Sequence, residues 1–354
     1  MFQKKLTYLM LAVFITSITS LYAVPLKKKA STEVSKPAAA ATPAKAQLSA
    51  ESKTTQAPPV NTGKPLVPLA GHTIKIDKSI SDWVGDLPAQ DDSSVVNQGE
   101  FIWRDAQGDD KGSGAYTYPS NAAFASSADI REVRVTWDAK NVYFMIKCRR
   151  PGDYWAAYRV IGIHKENSTE AFSTLLAQGN PEDMNPEEGC MGNLKVAPEL
   201  ACQYVIGLSS TWKVFVWNAK NRLIAKRIGK EDDTTGLKAD DANWSAIEVA
   251  VPQEIIGNPA GQTWKIIVGV GLQESDYLRK VVQEQSEWVG GGGDGEDKNP
   301  GACPYVYDLA GASKELQEKD LNSYKRGGSA SDSSGFAVIK NSFLTIKFAD
   351  KPAE

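Results

Sequence analysis

The stretch that most constrains the fold is Asp129 to Cys148, DIREVRVTWDAKNVYFMIKC. Val133, Val135 and Trp137 alternate with Arg134 and Thr136, D-A-K-N supplies turn residues, and Val142, Phe144 and Ile146 then alternate with Tyr143, Met145 and Lys147. Successive side chains of a strand point to opposite faces, so this period-two pattern predicts two strands of a hairpin with one apolar face. Immediately before it, Phe101 to Phe124 reads as a loop with an acidic cluster, Asp105, Asp109 and Asp110, set among Gly108, Gly112 and Gly114. Glycine permits tight turns, which allows several hard oxygen donors to converge on one point. An oxygen-rich loop joined to a half-buried hairpin favours a secreted binding module over an enzyme.

Further strands are expected at Tyr158–His164, Gln203–Leu208, Trp212–Trp217, Leu223–Arg227, Ala246–Val251, Trp264–Leu272 and Phe343–Phe348, separated by Asn, Asp, Gly and Ser clusters. Helical signals are confined to Gln253–Ile256 after Pro252 and to Ser313–Tyr324, where Leu316 and Leu321 would face the body. W-D-A-K-N (Trp137–Asn141) and W-N-A-K-N (Trp217–Asn221) share turn chemistry and do not mark a repeat.

The run G-D-D-x-G-x-G-x-Y-x-Y-P (Gly108–Pro119) with Phe124, the run R-K-V-V-Q-E-Q-S-E-W-V-G-G-G-G-D (Arg279–Asp294) and Y-D-L (Tyr307–Leu309) resemble the glucodextranase C-terminal-like family. The resemblance implies an all-β, immunoglobulin-like or DOMON-like antiparallel β-sandwich with long loops and one or two short helices, related to family 9 carbohydrate-binding modules. Ile74–Trp83, IKIDKSISDW, resembles the opening of such modules, I-D-G-x-x-x-D-W, with Lys78 where Gly is common. The similarity spans Gly71 to Phe348. In that family the domain usually accompanies a glycoside hydrolase or pullulanase, and this chain carries no such catalytic partner. Some DOMON relatives hold haem, but two histidines and a mid-strand Met145 make a poor set of axial ligands.

The N-terminus reads as a secretory signal over residues 1–23, with Lys4 and Lys5, an apolar Leu6–Ile18 and a cleavage site at Leu21-Tyr22-Ala23. The apolar run is short for a spanning helix, so no transmembrane segment is expected after cleavage. Residues 24–69 form an Ala/Pro/Lys-rich disordered linker of net charge about +5, too poor in large apolar residues to offset chain entropy. Residues 70–354 form the globular module. Of 40 basic and 43 acidic residues, nine and two precede Ala70, leaving 31 against 41. That acidity argues against nucleic acid as a partner. It suits carboxylates that hold calcium in a secreted, extracellular or periplasmic setting, or in association with the cell surface.

Cys148, Cys190, Cys202 and Cys303 fit export, and a Cys190–Cys202 disulfide would close one loop. The spacings do not make a zinc site. The candidate metal ligands are Asp105, Asp109, Asp110 and Asp129, with calcium as the ion. A second acidic glycine loop, Gly290–Asp297, reads more simply as a surface loop. Sugar rings present C–H faces on which flat aromatic side chains stack, and the candidates for that role are Tyr154, Trp155, Trp288 and Trp103. Each competes with a place in the core, where Trp137, Trp212 and Trp217 are assigned.

Catalysis has little support. His72 and His164 lack a recognisable nucleophile, and no G-x-S-x-G, H-E-x-x-H, phosphate-binding or dinucleotide motif occurs. The sequence therefore points to a secreted, non-catalytic, calcium-stabilised protein that binds polysaccharide or cell-surface glycan, beside a separate glycoside hydrolase or envelope protein. The rival reading is a structural cell-envelope or surface-attachment protein; a glycoside hydrolase ranks last.

Overall fold

In the computed structural model the chain divides into two units, Met1–Gln56 and Ala57–Glu354, and every described residue belongs to the second. The described residues are 65–149, 153, 155–177, 190–209, 213–229, 235–242, 245–294, 303–324 and 336–353.

Two antiparallel sheets carry the fold. The first contains β1 (Ser93–Asn97), β2 (Glu100–Arg104), β3 (Ile130–Trp137), β4 (Asn141–Cys148), β11 (Lys238–Ala242) and β12 (Ala246–Pro252), in the order β1-β2-β3-β4-β12-β11. The second is built from β5 (Ala157–Lys165), β8 (Tyr204–Ser209), β9 (Lys213–Asn218), β10 (Leu223–Arg227), β13 (Thr263–Glu274) and β14 (Tyr277–Leu278), in the order β10-β9-β8-β5-β13-β14. The far side of β13 is shared by β17 (Leu344–Lys347) on Thr263–Ile266 and β15 (Val306–Leu309) on Gly269–Gly271.

The expected hairpin is β3–β4, with Val135 opposite Phe144 and Val133 opposite Ile146. Its apolar face meets Ile161, Ile163, Ile206, Val216 and Val268 of the second sheet in one buried cluster. Phe348 lies edge-on to Trp137 at 5.9 Å and to Trp264 at 4.9 Å, so one ring joins both sheets near the chain's end. Leu69 is fully buried there, and its amide donates to the Lys347 carbonyl at 2.7 Å. The all-β sandwich implied by the family resemblance is the fold observed.

Both sheets have their outer faces covered over the central strands, which simple alternation does not reveal. On the first sheet, Tyr143 and Met145 are covered by Ile74 and Trp83 from the segment preceding β1. On the second, Tyr158, Val160, Val205 and Ile267 are covered by a three-stranded sheet of β6 (Leu175–Ala177), β7 (Cys190–Val196) and β16 (Ala337–Ile339), together with α2 (Lys314–Leu321). Burial on both faces removes the need for polar outer residues, so β5 reads as the near-continuous run A-Y-R-V-I-G-I.

Both helices form where expected. The four-residue α1 (Gln253–Ile256) follows Pro252 and ends at Gly257, whose φ of 81° stops it. Leu321 of α2 is buried, Leu316 is half-buried, and the inward face otherwise consists of Gln317 and Asp320. Two expectations need correction. Phe101–Arg104 is strand β2 and not loop, because Phe101, Ile102 and Trp103 are all buried between neighbours. Cys202 is a buried free thiol packed against Gly162, so the Cys190–Cys202 bridge does not form. The expected strand start at Trp212 lies outside the described residues.

Candidate binding site

The acidic loop leaves β2 at Arg104 and returns to β3 at Ile130, so both ends are anchored in neighbouring strands. Asp105 and Asp129 occupy those two ends, and the Asp105 amide donates to the Arg131 carbonyl at 3.2 Å. Asp109 lies in the loop, where its carbonyl accepts from Nε2 of Gln317 at 2.9 Å. Gln317 is fully buried and its Oε1 accepts from the Leu309 amide at 2.6 Å. A residue of α2 thus pins the loop to β15, beside Asp308.

Asp105, Asp109 and Asp308 each present an oxygen within 4.8 Å of the others. Each has a defined partner for one oxygen or its backbone and leaves another oxygen bare. Trp103 Nε1 donates to Asp105 Oδ1, the Ile130 amide to Asp308 Oδ2 at 2.7 Å, and the Gly108 amide to Asp129 Oδ1 at 3.2 Å. Asp105 Oδ2, Asp109 Oδ1, Asp129 Oδ2 and Asp308 Oδ1 are buried without a hydrogen-bond partner. Nη1 of Arg149 lies 3.8 Å from Asp129 Oδ2.

Such burial opposes ionisation. Desolvation, reinforced by the neighbouring carboxylates, lifts Asp105 and Asp308 well above the usual carboxylate range, raises Asp109 to about 7, and raises Asp129. Bare buried carboxylates are costly unless protonated or matched to a cation. The donor set is all hard oxygen, and a calcium ion with ligand distances of 2.3–2.6 Å spans about 5 Å between opposed oxygens. The residues therefore fit calcium chemically.

Of the four expected ligands, Asp105 and Asp109 come together with Asp308, while Asp110 and Asp129 lie outside that triad. Asp110 is engaged elsewhere: Tyr118 donates its hydroxyl to Asp110 Oδ2, and Lys111 lies 3.9 Å from Oδ1. Asp308 takes its place, an acid 178 residues beyond Ile130, whose amide it holds. The Y-D-L motif was the only sequence signal that could have found it. Glycines close the loop, as expected: Gly112 has φ 54° and any Cβ there would strike the Tyr116 ring.

The aromatic candidates separate. Trp103 is 7% exposed and serves Asp105, so it is a wall of the acid cluster and no surface platform. Tyr154 lies outside the described residues. Trp155 is half-buried and Trp288 is 45% exposed, with ring centroids 6.4 Å apart and planes 27° from parallel. Both stand edge-on to buried Phe124, at 5.2 and 6.2 Å. The Arg279 guanidinium lies 5.2 Å over Phe124 and donates to the Trp288 carbonyl at 3.0 Å.

The segment carrying Trp288 is tied to the later part of the acidic loop. Thr117 bridges Gly291, the Ser120 amide donates to the Ser286 carbonyl at 3.0 Å, and the Asn121 amide to the Glu287 carbonyl at 3.1 Å. The glycine run explains this closeness: a Cβ on Gly290 would overlap the Tyr307 hydroxyl. Gly290–Gly293 is thus a packed element, contrary to the expected surface loop; the remainder of that loop beyond Asp294 lies outside the described residues. The two histidines are taken up by backbone carbonyls, His72 Nδ1 with Gln98 at 3.1 Å and His164 Nδ1 with Ala201 at 2.8 Å.

Two glycine-rich signatures folded against each other are what the family comparison matches. The family model described as the C-terminal binding module, SLH-like, of glucodextranase covers residues 101–334. The chain belongs to this family. The match takes in the whole acidic loop, both tryptophans and Asp308, and what it describes is a binding module. No curated protein matches the chain. Among the described residues of this family member, no helix is long and apolar enough to cross a membrane.

Proposed function

We propose that this protein is a secreted, non-catalytic module that binds polysaccharide or cell-surface glycan on Trp155 and Trp288, beside a calcium site formed by Asp105, Asp109, Asp129 and Asp308. The observation that carries this reading is the exposed Trp288 stacked with Trp155 on a segment tied to the acidic loop. Stacking gives a sugar ring an apolar face, and a half-exposed tryptophan already ordered by Phe124 and Arg279 loses little freedom on binding. Calcium held by the four aspartates would supply the positive charge their bare oxygens lack. Trp103 and the Ile130 amide hold the Asp105 and Asp308 carboxylates and Gln317 holds the Asp109 carbonyl, so the loop that carries Thr117 and Asn121 keeps its shape. The basic linker would set the reach of the module and the sandwich its specificity.

Affinity electrophoresis through gels containing starch, dextran, xylan, β-glucan or peptidoglycan fragments tests the reading. Retardation in one gel, abolished by Trp288→Ala and Trp155→Ala and weakened by chelator, is the expected result. Co-sedimentation with purified cell walls and no retardation in any gel would shift the function to envelope attachment. Release of reducing ends would revive the hydrolase.

A further inference from the structure

We propose a second binding site, for an anionic saccharide unit, in the pocket at the far end of β5 from Trp155. From Ala157 to Lys165 the strand runs about 26 Å at its usual rise, so the pocket is remote from the tryptophan pair and the acid cluster. It is a cavity of about 320 Å³ lined by Glu170, Gln203, Tyr204, Asn218, Lys220 and Arg222. That volume falls at the small end of ligand pockets.

The wall chemistry is specific. Lys165, 3% exposed, places its ammonium 3.0 and 3.2 Å from the two Glu170 oxygens and 4.7 Å over the Tyr204 ring. Glu170 is thereby neutralised from behind and remains a hydroxyl acceptor toward the cavity. Gln203 uses Oε1 to accept from the Lys165 amide at 2.7 Å, which leaves its amide nitrogen as the donor. Asn218 uses Oδ1 to accept from the Lys220 and Arg222 amides at 2.9 and 3.3 Å, so it too offers Nδ2. The W-N-A-K-N turn, with Asn221 at φ 53°, sets Lys220 and Arg222 on the rim. Both are exposed, and among the described residues neither is held in an ion pair.

The pocket thus offers one aromatic ring, two amide donors, one neutralised carboxylate and two uncompensated cations. Its complement is a hydroxylated ring bearing one negative charge, for which a guanidinium gives a paired, charge-assisted contact. The anionic character rests on this wall alone; the choice of a saccharide over another anionic ring rests on the proposed carbohydrate function.

Isothermal titration of the full chain with trigalacturonate, maltotriose, a sulfated oligosaccharide and inorganic phosphate tests the assignment. Trigalacturonate should bind wild type and Trp288→Ala alike and lose about tenfold in affinity in Arg222→Ala with Lys220→Ala, the scale of one charge-assisted hydrogen bond. Preference for the sulfated ligand, with the same dependence on Arg222 and Lys220, would keep the site and change the acid group. No heat from either anionic saccharide, or equal affinity for maltotriose, would overturn the proposal. Loss of binding in Trp288→Ala would move the ligand to the tryptophan pair, and equal affinity for inorganic phosphate would reduce the pocket to an adventitious anion site. Both substituted side chains are exposed, so an unchanged melting curve shows that any loss comes from the pocket.

Discussion

Asp105, Asp109, Asp129 and Asp308 make stability depend on pH in an unusual direction. A carboxyl raised in the folded state, as Asp109 is to about 7, stabilises the fold below its unfolded pKa, and that contribution is lost as pH rises through the folded pKa. Protein stripped with chelator should therefore melt at a higher temperature near pH 5 than at roughly pH 7.5, the reverse of the usual acid sensitivity. Calcium should raise the melting temperature most at the higher pH, and Asp109→Ala with Asp308→Ala should remove the calcium effect. Identical melting curves with and without chelator would retire the site. At Lys78, φ is 74°, a left-handed conformation that explains why glycine is common there in the related motif. Replacing a non-glycine residue in that region removes a strain of about 1 kcal/mol, offset in part by the greater freedom of unfolded glycine. Lys78→Gly is accordingly expected to leave stability unchanged or raise it by a few tenths to about 1 kcal/mol in urea titration.

At the scale of elements, α2 is a brace for the acidic loop. Its mean face is polar, yet Gln317 is fully buried and Asp320 accepts from the Asn341 and Ser342 amides at 2.9 Å each. Truncating Gln317 would orphan both the Leu309 amide and the Asp109 carbonyl. Leaving two buried backbone groups unmatched costs about 2–4 kcal/mol. Gln317→Ala should show that loss in denaturant unfolding together with weaker calcium retention, whereas Gln317→Glu should recover part of the Leu309 contact only. Reading the helix from sequence by its leucines identified the right segment and one of the anchors, Leu321. It missed the polar contacts because hydrophobic periodicity carries no information about a buried amide. The strands fared similarly: β3, β4, β5, β8, β9, β10, β12, β13 and β17 were legible from alternation or β-rich runs. β15 and β16 are three or four residues long and exist only through their partners on β13 and β7.

At the scale of the whole molecule, packing holds the described sandwich, and Cys148 and Cys202 take no part in a cross-link. Cys148 and Cys202 are buried thiols, and burial pushes Cys202 above the ordinary thiol range. Reductant should leave the melting temperature unchanged, and alkylation in denaturant without reductant should label both; protection of Cys202 would reinstate the bridge. The acidity of residues 70–354 was visible in composition, and the two glycine-rich signatures that mark the family were visible in the sequence. Those are properties of residues close together in the chain: alternation, turn chemistry and charge are local, so a single sequence expresses them. Which carboxylates meet is not local. Asp308 joins Asp105 and Asp109 only because β15 pairs with β13 and α2 ties the loop to it, while Asp110, adjacent in sequence, is turned toward Tyr118. The tryptophans divide for the same reason. Trp103 and Trp288 look alike in sequence, but the first is buried in β2 between Ser94 of β1 and Val133 of β3, while the second is exposed on a segment that Thr117 ties at Gly291, more than a hundred residues away.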